Sequence, residues 1–242
     1  MSATPTVVPA APPARSPYAS PTGLAIALSV LFALVMGTDA LALHADWTMR
    51  ALADRLAADP GAVGDAEADR ATRLIGLTGT FQGNATIVTG IVFLVWFHRV
   101  RANAELFAPG AGRLGRGWAV GAWFVPLANL WLPYRIAATT WTSSTPAGAG
   151  AGRRGFGPSL VSLWWGGFVL SKLLGWYGGR SYSRAETPEA VRDAATTMLA
   201  GDVVDLAAAV LAVLLVRRLT AMQRVRAAQG PPVATARRPA LG

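Results

Sequence analysis

The 242-residue chain contains no cysteine. That removes disulfides, Cys-based zinc sites, iron–sulfur clusters and thiol nucleophiles from the functions open to it. Lysine is nearly absent too: of 22 basic residues, all but Lys172 are arginine, so there is no phosphate-loop lysine in a helix-opening Gly-rich motif. The two histidines, His44 and His98, fall at the ends of different apolar stretches with no second His or Cys nearby, which excludes an evident metal site. No Ser/His/Asp spacing stands out. The chain is therefore read as non-enzymatic, with no cofactor and no metal. Charge is scarce as well, at 14%, where a soluble domain carries about a quarter.

What is present is apolar sequence in long blocks. Hydrophobic residues make up 52% of the chain, and mean hydropathy is +0.38. Four stretches, about 22–43, 74–97, 158–178 and 195–216, each approach the roughly 20 residues that cross a ~30 Å hydrocarbon core. Residues 1–21 are Pro-rich with a single Arg and read as a disordered tail; 230–242 read as a disordered basic tail. The transmembrane domain is thus expected over 22–229. The first stretch could be a signal peptide cut after Ala40-Leu41-Ala42. Its length, Asp39 and the nearly uncharged leader favour an uncleaved anchor. The net charge of +9 is assigned to membrane orientation and not to nucleic acid.

A fifth apolar segment, Gly117–Arg135, carries Pro126, Pro133 and a central Asn129, expected to be buried. Each proline removes a backbone donor and crowds the preceding turn, and in lipid the freed carbonyls need partners. Charge counting treats this segment as the exception. The 44–73 loop is acidic, whereas the 98–116 loop and the tail after 216 are basic. If the segment does not cross, one face carries 14 of the 21 arginines and the other carries seven with nine acids, as the positive-inside rule requires. The expectation is an all-α, polytopic transmembrane helical bundle of four spans. It has cytoplasmic N- and C-termini and an interfacial or re-entrant segment at 117–141; five spans is the alternative.

The run Gly117-Trp118-Ala119-Val120-Gly121, then Trp123-Phe124-Val125-Pro126, Asn129-Leu130 and Pro133-Tyr134-Arg135, with Trp141 after it, resembles the signature of a bacterial integral-membrane family known as domain of unknown function 4328. The basic end of the second stretch, Trp96 to Asn103, and Leu163-Trp164-Trp165 match as well. The resemblance covers about 22–225. It implies a small multi-pass protein of the bacterial cell (inner) membrane, and it supplies no activity and no catalytic residues.

Ionisable residues inside apolar spans are costly and point to function. Asp39, Lys172, Asp202 and Asp205 are such residues, and Gln82 and Asn84 fall at similar depth. They are expected to form one intramembrane polar cluster. In the leading reading the cluster holds helices in register in a scaffold or regulatory partner, each contact contributing on the order of 1 kcal/mol. In the alternative it serves a small transporter or channel. Gly76, Gly79, Gly83, Thr86 and Gly90 form a small-residue seam, expected to pack against another span or to join a homo-oligomer. Arg99, Arg101, Arg113, Arg116, Arg217, Arg218, Arg224 and Arg226 make an inner basic collar suited to anionic lipids of the bilayer. A GxGxxG match at 150–155 lies in a Gly/Ala-rich loop with no preceding strand and is set aside.

Overall fold

The computed structural model describes residues 18–148 and 151–230, including the side chains of 159–230 in the second block. The tail expectations for 1–17 and 231–242 lie outside the described residues. Four long helices dominate: α1 (Thr22–Ala58), α2 (Asp65–Phe107), α5 (Ala151–Tyr182) and α6 (Pro188–Ala228). Between α2 and α5 come α3 (Trp118–Gly121), a 3-10 turn at Ala128–Leu130, and α4 (Leu132–Ser144). Three helices, α1, α2 and α6, are long and apolar enough to cross a membrane by length and composition. Helix α5, which contains the expected span 158–178, is 32 residues long but carries Gly, Ser, Trp and Lys172 through its middle.

All four long helices overrun the apolar stretches that predict them. At 1.5 Å per residue, the 37 residues of α1 extend about 55 Å. The segment 44–73, expected as a loop, is mostly helix; only 59–64 turn the chain. This hairpin has its own small core, in which Met49, Leu52, Ala71 and Ala195 are buried. Arg55 clamps it by pairing with Glu67 at 2.6 Å and donating to the Ala62 carbonyl at 2.6 Å. Helix α2 likewise continues through the expected 98–116 loop as far as Phe107. Helix α5 begins at Ala151, within the Gly/Ala-rich stretch read as loop.

Helix α6 is the centre of the bundle, packing along both α1 and α5, while α1 also packs on α2. The α5–α6 contact is close because glycines face it. A Cβ on Gly201 would lie 3.3 Å from the Gly175 nitrogen, and one on Gly178 would lie 2.8 Å from Met198 Cγ. The expected α2 seam behaves differently. A Cβ on Gly76, Gly79, Gly83 or Gly90 would meet nothing within 4 Å, so among the described residues these glycines make no close helix contact.

The main core lies at the end where α1 and α5 begin and α2 and α6 end, called here the basic end. Leu28, Trp96, Phe97, Val100, Val161 and Val216 are among its fully buried side chains. Polar bonds lock that end. Gln223, fully buried, donates to the Val100 carbonyl at 2.7 Å and to Ser144 Oγ at 2.9 Å. Its Oε1 accepts from Asn103 Nδ2 at 3.0 Å. Outward, large apolar residues stay exposed along the helices, among them Val30, Phe81, Ile87, Leu163, Leu173 and Val203. A belt of this kind suits surroundings that are themselves apolar.

Candidate functional site

The segment 108–148 leaves and returns to the basic end. Near its start the Leu114 carbonyl accepts from Arg101 at 2.9 Å; near its finish Ala147 N–H donates to Gln229 Oε1 at 3.1 Å. Its longest helix, α4, has 13 residues, about 20 Å, short of the ~30 Å hydrocarbon core. Pro133 occupies the first turn of α4, where its missing donor costs nothing, so it opens a helix and does not kink one. Pro126 stands before the apex. There Leu127 has φ 62° and ψ −49°, and Ala128 N–H reaches the Pro126 carbonyl at 2.7 Å. This is a γ-turn of the rare, strained hand.

Motif residues divide by role. Trp123 packs edge-on against Phe93, Phe97, Trp165 and Phe168, with ring centroids 5.6–6.4 Å apart. Trp165 Nε1–H donates to the Leu130 carbonyl at 2.9 Å, and the Tyr134 hydroxyl lies 3.2 Å from Ser162 Oγ. Pro133 is buried; Trp118, Pro126, Asn129 and Arg135 are exposed. The expected burial of Asn129 is thus corrected: Trp123, not Asn129, carries this segment into the core.

The predicted polar cluster assembles in large part, in the half of the bundle away from the basic end. Gln82 Nε2 donates to Asp39 Oδ1 at 2.8 Å and to Asp202 Oδ1 at 2.9 Å, joining α1, α2 and α6. Asp205 Oδ1 accepts from Ser171 Oγ at 2.8 Å, and its Oδ2 meets Lys172 Nζ at 2.9 Å, joining α5 to α6. Asn84 does not belong. It is exposed, and its amide donates to the Thr80 carbonyl of its own helix at 2.9 Å. At about 100° per residue it points to nearly the opposite side of the helix from Gln82.

Two members were missing from the expectation. Asp46, counted among the loop acids, is 3% exposed and lies against Asp202, within hydrogen-bonding reach of its carboxyl. It stands seven residues after Asp39, two turns along the same face, and that spacing could have revealed it. Ser171 is the other, and nothing but its position next to Lys172 marks it. The layer therefore holds four carboxyls and one ammonium, and the ammonium touches Asp205. Among the described residues Asp39 Oδ2 and Asp46 Oδ2 are buried with no hydrogen-bond partner, a costly state for such groups.

A cavity of about 340 Å³ reaches this cluster, touching Lys172 and Asp205 and otherwise lined by apolar and small residues of α1, α2, α5, α6 and the α3–α4 linker. The arginines of the collar differ among themselves. Arg101 is 2% exposed and committed to the Leu114 carbonyl, which removes it from the set facing headgroups. Arg116 pairs with Glu105 at 2.9 Å, and Arg99 donates to the Ser20 carbonyl at 3.3 Å. Arg113, Arg217, Arg218 and Arg224 are exposed, and Arg226 is half-buried. Among the described residues no group of three or more His, Cys, Asp or Glu is arranged to hold a metal ion.

No curated protein and no solved structure matches the chain. A family model does, over residues 59–221, a range that takes in the Trp123 segment and most of the polar cluster, and on that match the chain belongs to the family described as Domain of unknown function (DUF4328).

Proposed function

We propose that this is a non-enzymatic scaffold or regulatory partner of the bacterial inner membrane. In this reading α1, α2, α5 and α6 each cross, both termini are cytoplasmic, and the 117–141 segment enters the inner leaflet and returns. The observation that carries it is the Gln82 bridge together with the Lys172–Asp205–Ser171 contacts, which tie four helices from four separate stretches of chain. In lipid, where apolar burial cannot drive helices together, such polar contacts and close packing set their register. The exposed arginines at the basic end then face anionic headgroups, and the unoccupied α2 glycine seam is free to meet a second copy.

The chain has no native cysteine, so single-cysteine labelling reads the topology directly. With Gly61→Cys and Ala147→Cys, a membrane-impermeant maleimide on intact cells is expected to label position 61 and not 147. Labelling at 147 would mean that the Trp123 segment crosses.

One observation favours a second reading, a small transporter or channel for a proton or cation: the unpartnered carboxyl oxygens of Asp39 and Asp46 exceed what a pure packing device needs. Liposome flux across a pH gradient separates the two readings. Flux abolished by Asp39→Asn or Asp202→Asn supports transport, and absence of flux in the wild type removes it.

A further inference from the structure

The cavity that reaches Lys172 has a shape and polarity that the helix-register role does not use. On α5, Trp164, Phe168 and Lys172 recur every four residues on one face, so the cavity runs about 12 Å from an aromatic end to a charged end. Opposite them α6 presents only Ala208, Ala209 and Ala212 above Asp205, and these small side chains leave the space open. Trp123 and Phe124 of the α3–α4 linker close the aromatic end. Among the described residues α2 and α5 share almost no close backbone contact. The Phe93 and Trp164 side chains, centroids 5.7 Å apart, bridge them. The cavity therefore opens sideways between α2 and α5, with Phe124 71% exposed at its lip.

Its polar end constrains the occupant. The Lys172 side chain is 43% exposed and Asp205 13%, so a guest meets the ammonium first and finds a hydrogen-bond donor there. Among the described residues the ammonium makes one hydrogen bond, to Asp205, and two of its three donors remain available. Asp205 already neutralises it, with Asp39 and Asp202 close behind, so an anionic head gains little. Lys172 also lies about six residues, or 9 Å, inside the apolar run 158–178, a depth at which a charged head would lose its water.

From this geometry we infer that the cavity binds a neutral membrane lipid, its hydrocarbon chain along Trp164 and Phe168 and an uncharged carbonyl head accepting from Lys172, entering laterally between α2 and α5. The inference rests on the membrane reading above. Its volume falls within the roughly 300–1,000 Å³ of small-molecule sites.

The full chain in nanodiscs is exposed to a diacylglycerol carrying a photoactivated diazirine on its acyl chain, and cross-linked peptides are mapped by mass spectrometry. Saturable labelling of peptides holding Trp123–Phe124 or Trp164–Phe168 is expected. Excess unlabelled diacylglycerol or ubiquinone should compete, the more effective of the two identifying an ester or a quinone head, while phosphatidylglycerol should not. Ala209→Phe, which fills the cavity, should lower labelling at least about tenfold, and Lys172→Met should weaken carbonyl-lipid competition about tenfold. Non-saturable labelling, equal competition by phosphatidylglycerol, or undiminished labelling in a normally melting Ala209→Phe protein overturns the assignment. If Ala209→Phe does not fold, the wild-type competition decides alone. Alkaline extraction of native membranes separates the two failures. A chain that resists extraction yet shows no saturable labelling loses only the lipid site; a chain that is extracted loses the membrane reading itself.

Discussion

Lys172 and Asp205 join α5 to α6 through a 2.9 Å contact between Nζ and Oδ2, while Ser171, the preceding residue, holds the other oxygen of the same carboxylate. Asp205 is thus gripped by two adjacent residues of one helix. Removing the ammonium leaves a buried carboxylate with only a hydroxyl partner. Lys172→Met is expected to destabilise the protein by about 1–3 kcal/mol, below the range for a fully buried pair because the lysine is 43% exposed. The double change Lys172→Met/Asp205→Leu should recover most of that loss. Thermal melting in detergent checks both, and a double variant no better than the single one would show that the pair is not coupled.

Gln82 has no substitute as a bridge, because its one amide nitrogen serves two carboxyls on different helices. Gln82→Leu should cost about 1–3 kcal/mol by leaving Asp39 and Asp202 without their donor. Asn84→Leu, two residues on but bonded only to its own helix, should change the melting temperature little. A larger effect at 84 than at 82 would contradict the arrangement.

At the basic end Gln223 satisfies Asn103, Ser144 and the Val100 carbonyl together. Gln223→Met keeps the volume and removes every one of these bonds. The expected loss is about 2–4 kcal/mol, measurable by denaturant titration in mixed micelles. Asn103→Leu should cost less than the sum of its own bonds once Gln223 is already Met, since the two share a network.

Glycine positions give opposite expectations on two helices. Gly201→Leu drives a side chain into the Gly175 backbone 3.3 Å from its Cβ, and overpacking of this kind costs about 1–3 kcal/mol or more. A Cβ at Gly79 meets nothing within 4 Å, so Gly79→Leu should not destabilise the monomer. If the α2 seam joins two copies, Gly79→Leu instead lowers the oligomeric mass seen by light scattering.

Arg101 and Arg224 likewise part company. Arg224→Gln should weaken sedimentation with anionic vesicles by a few-fold, about 1 kcal/mol. Arg101→Gln should instead lower the melting temperature, because its guanidinium is buried against the Leu114 carbonyl.

Much of this protein is legible from composition alone. Long apolar blocks require helices wherever backbone groups must satisfy themselves, and the apolar stretches of all four lie within the observed ones. The spacing of Asp202 and Asp205 and the depth of Asp39, Gln82 and Lys172 are enough to place them in one layer. The extent of the helices is not legible, because α1 and α2 continue past the apolar blocks on amphipathic sequence whose partners, such as Ala195 and Tyr182, come from distant segments. For the same reason Asp46 reads as a solvated loop acid until α6 is packed against it.

The sequence by itself determines that the chain is helical, apolar in blocks, basic at one end and a relative of the DUF4328 family, since these follow from local composition and short motifs. The tertiary structure alone decides which small residues are contacts: Gly175, Gly178 and Gly201 are, and the more regular Gly76–Gly90 seam is not. It also decides that Trp123 points inward while Asn129 does not, and that α2 and α5 stand apart to leave a cavity ending at Lys172. Those outcomes depend on how four helices rotate and cross, and a helix's rotation is set by neighbours that are remote in sequence.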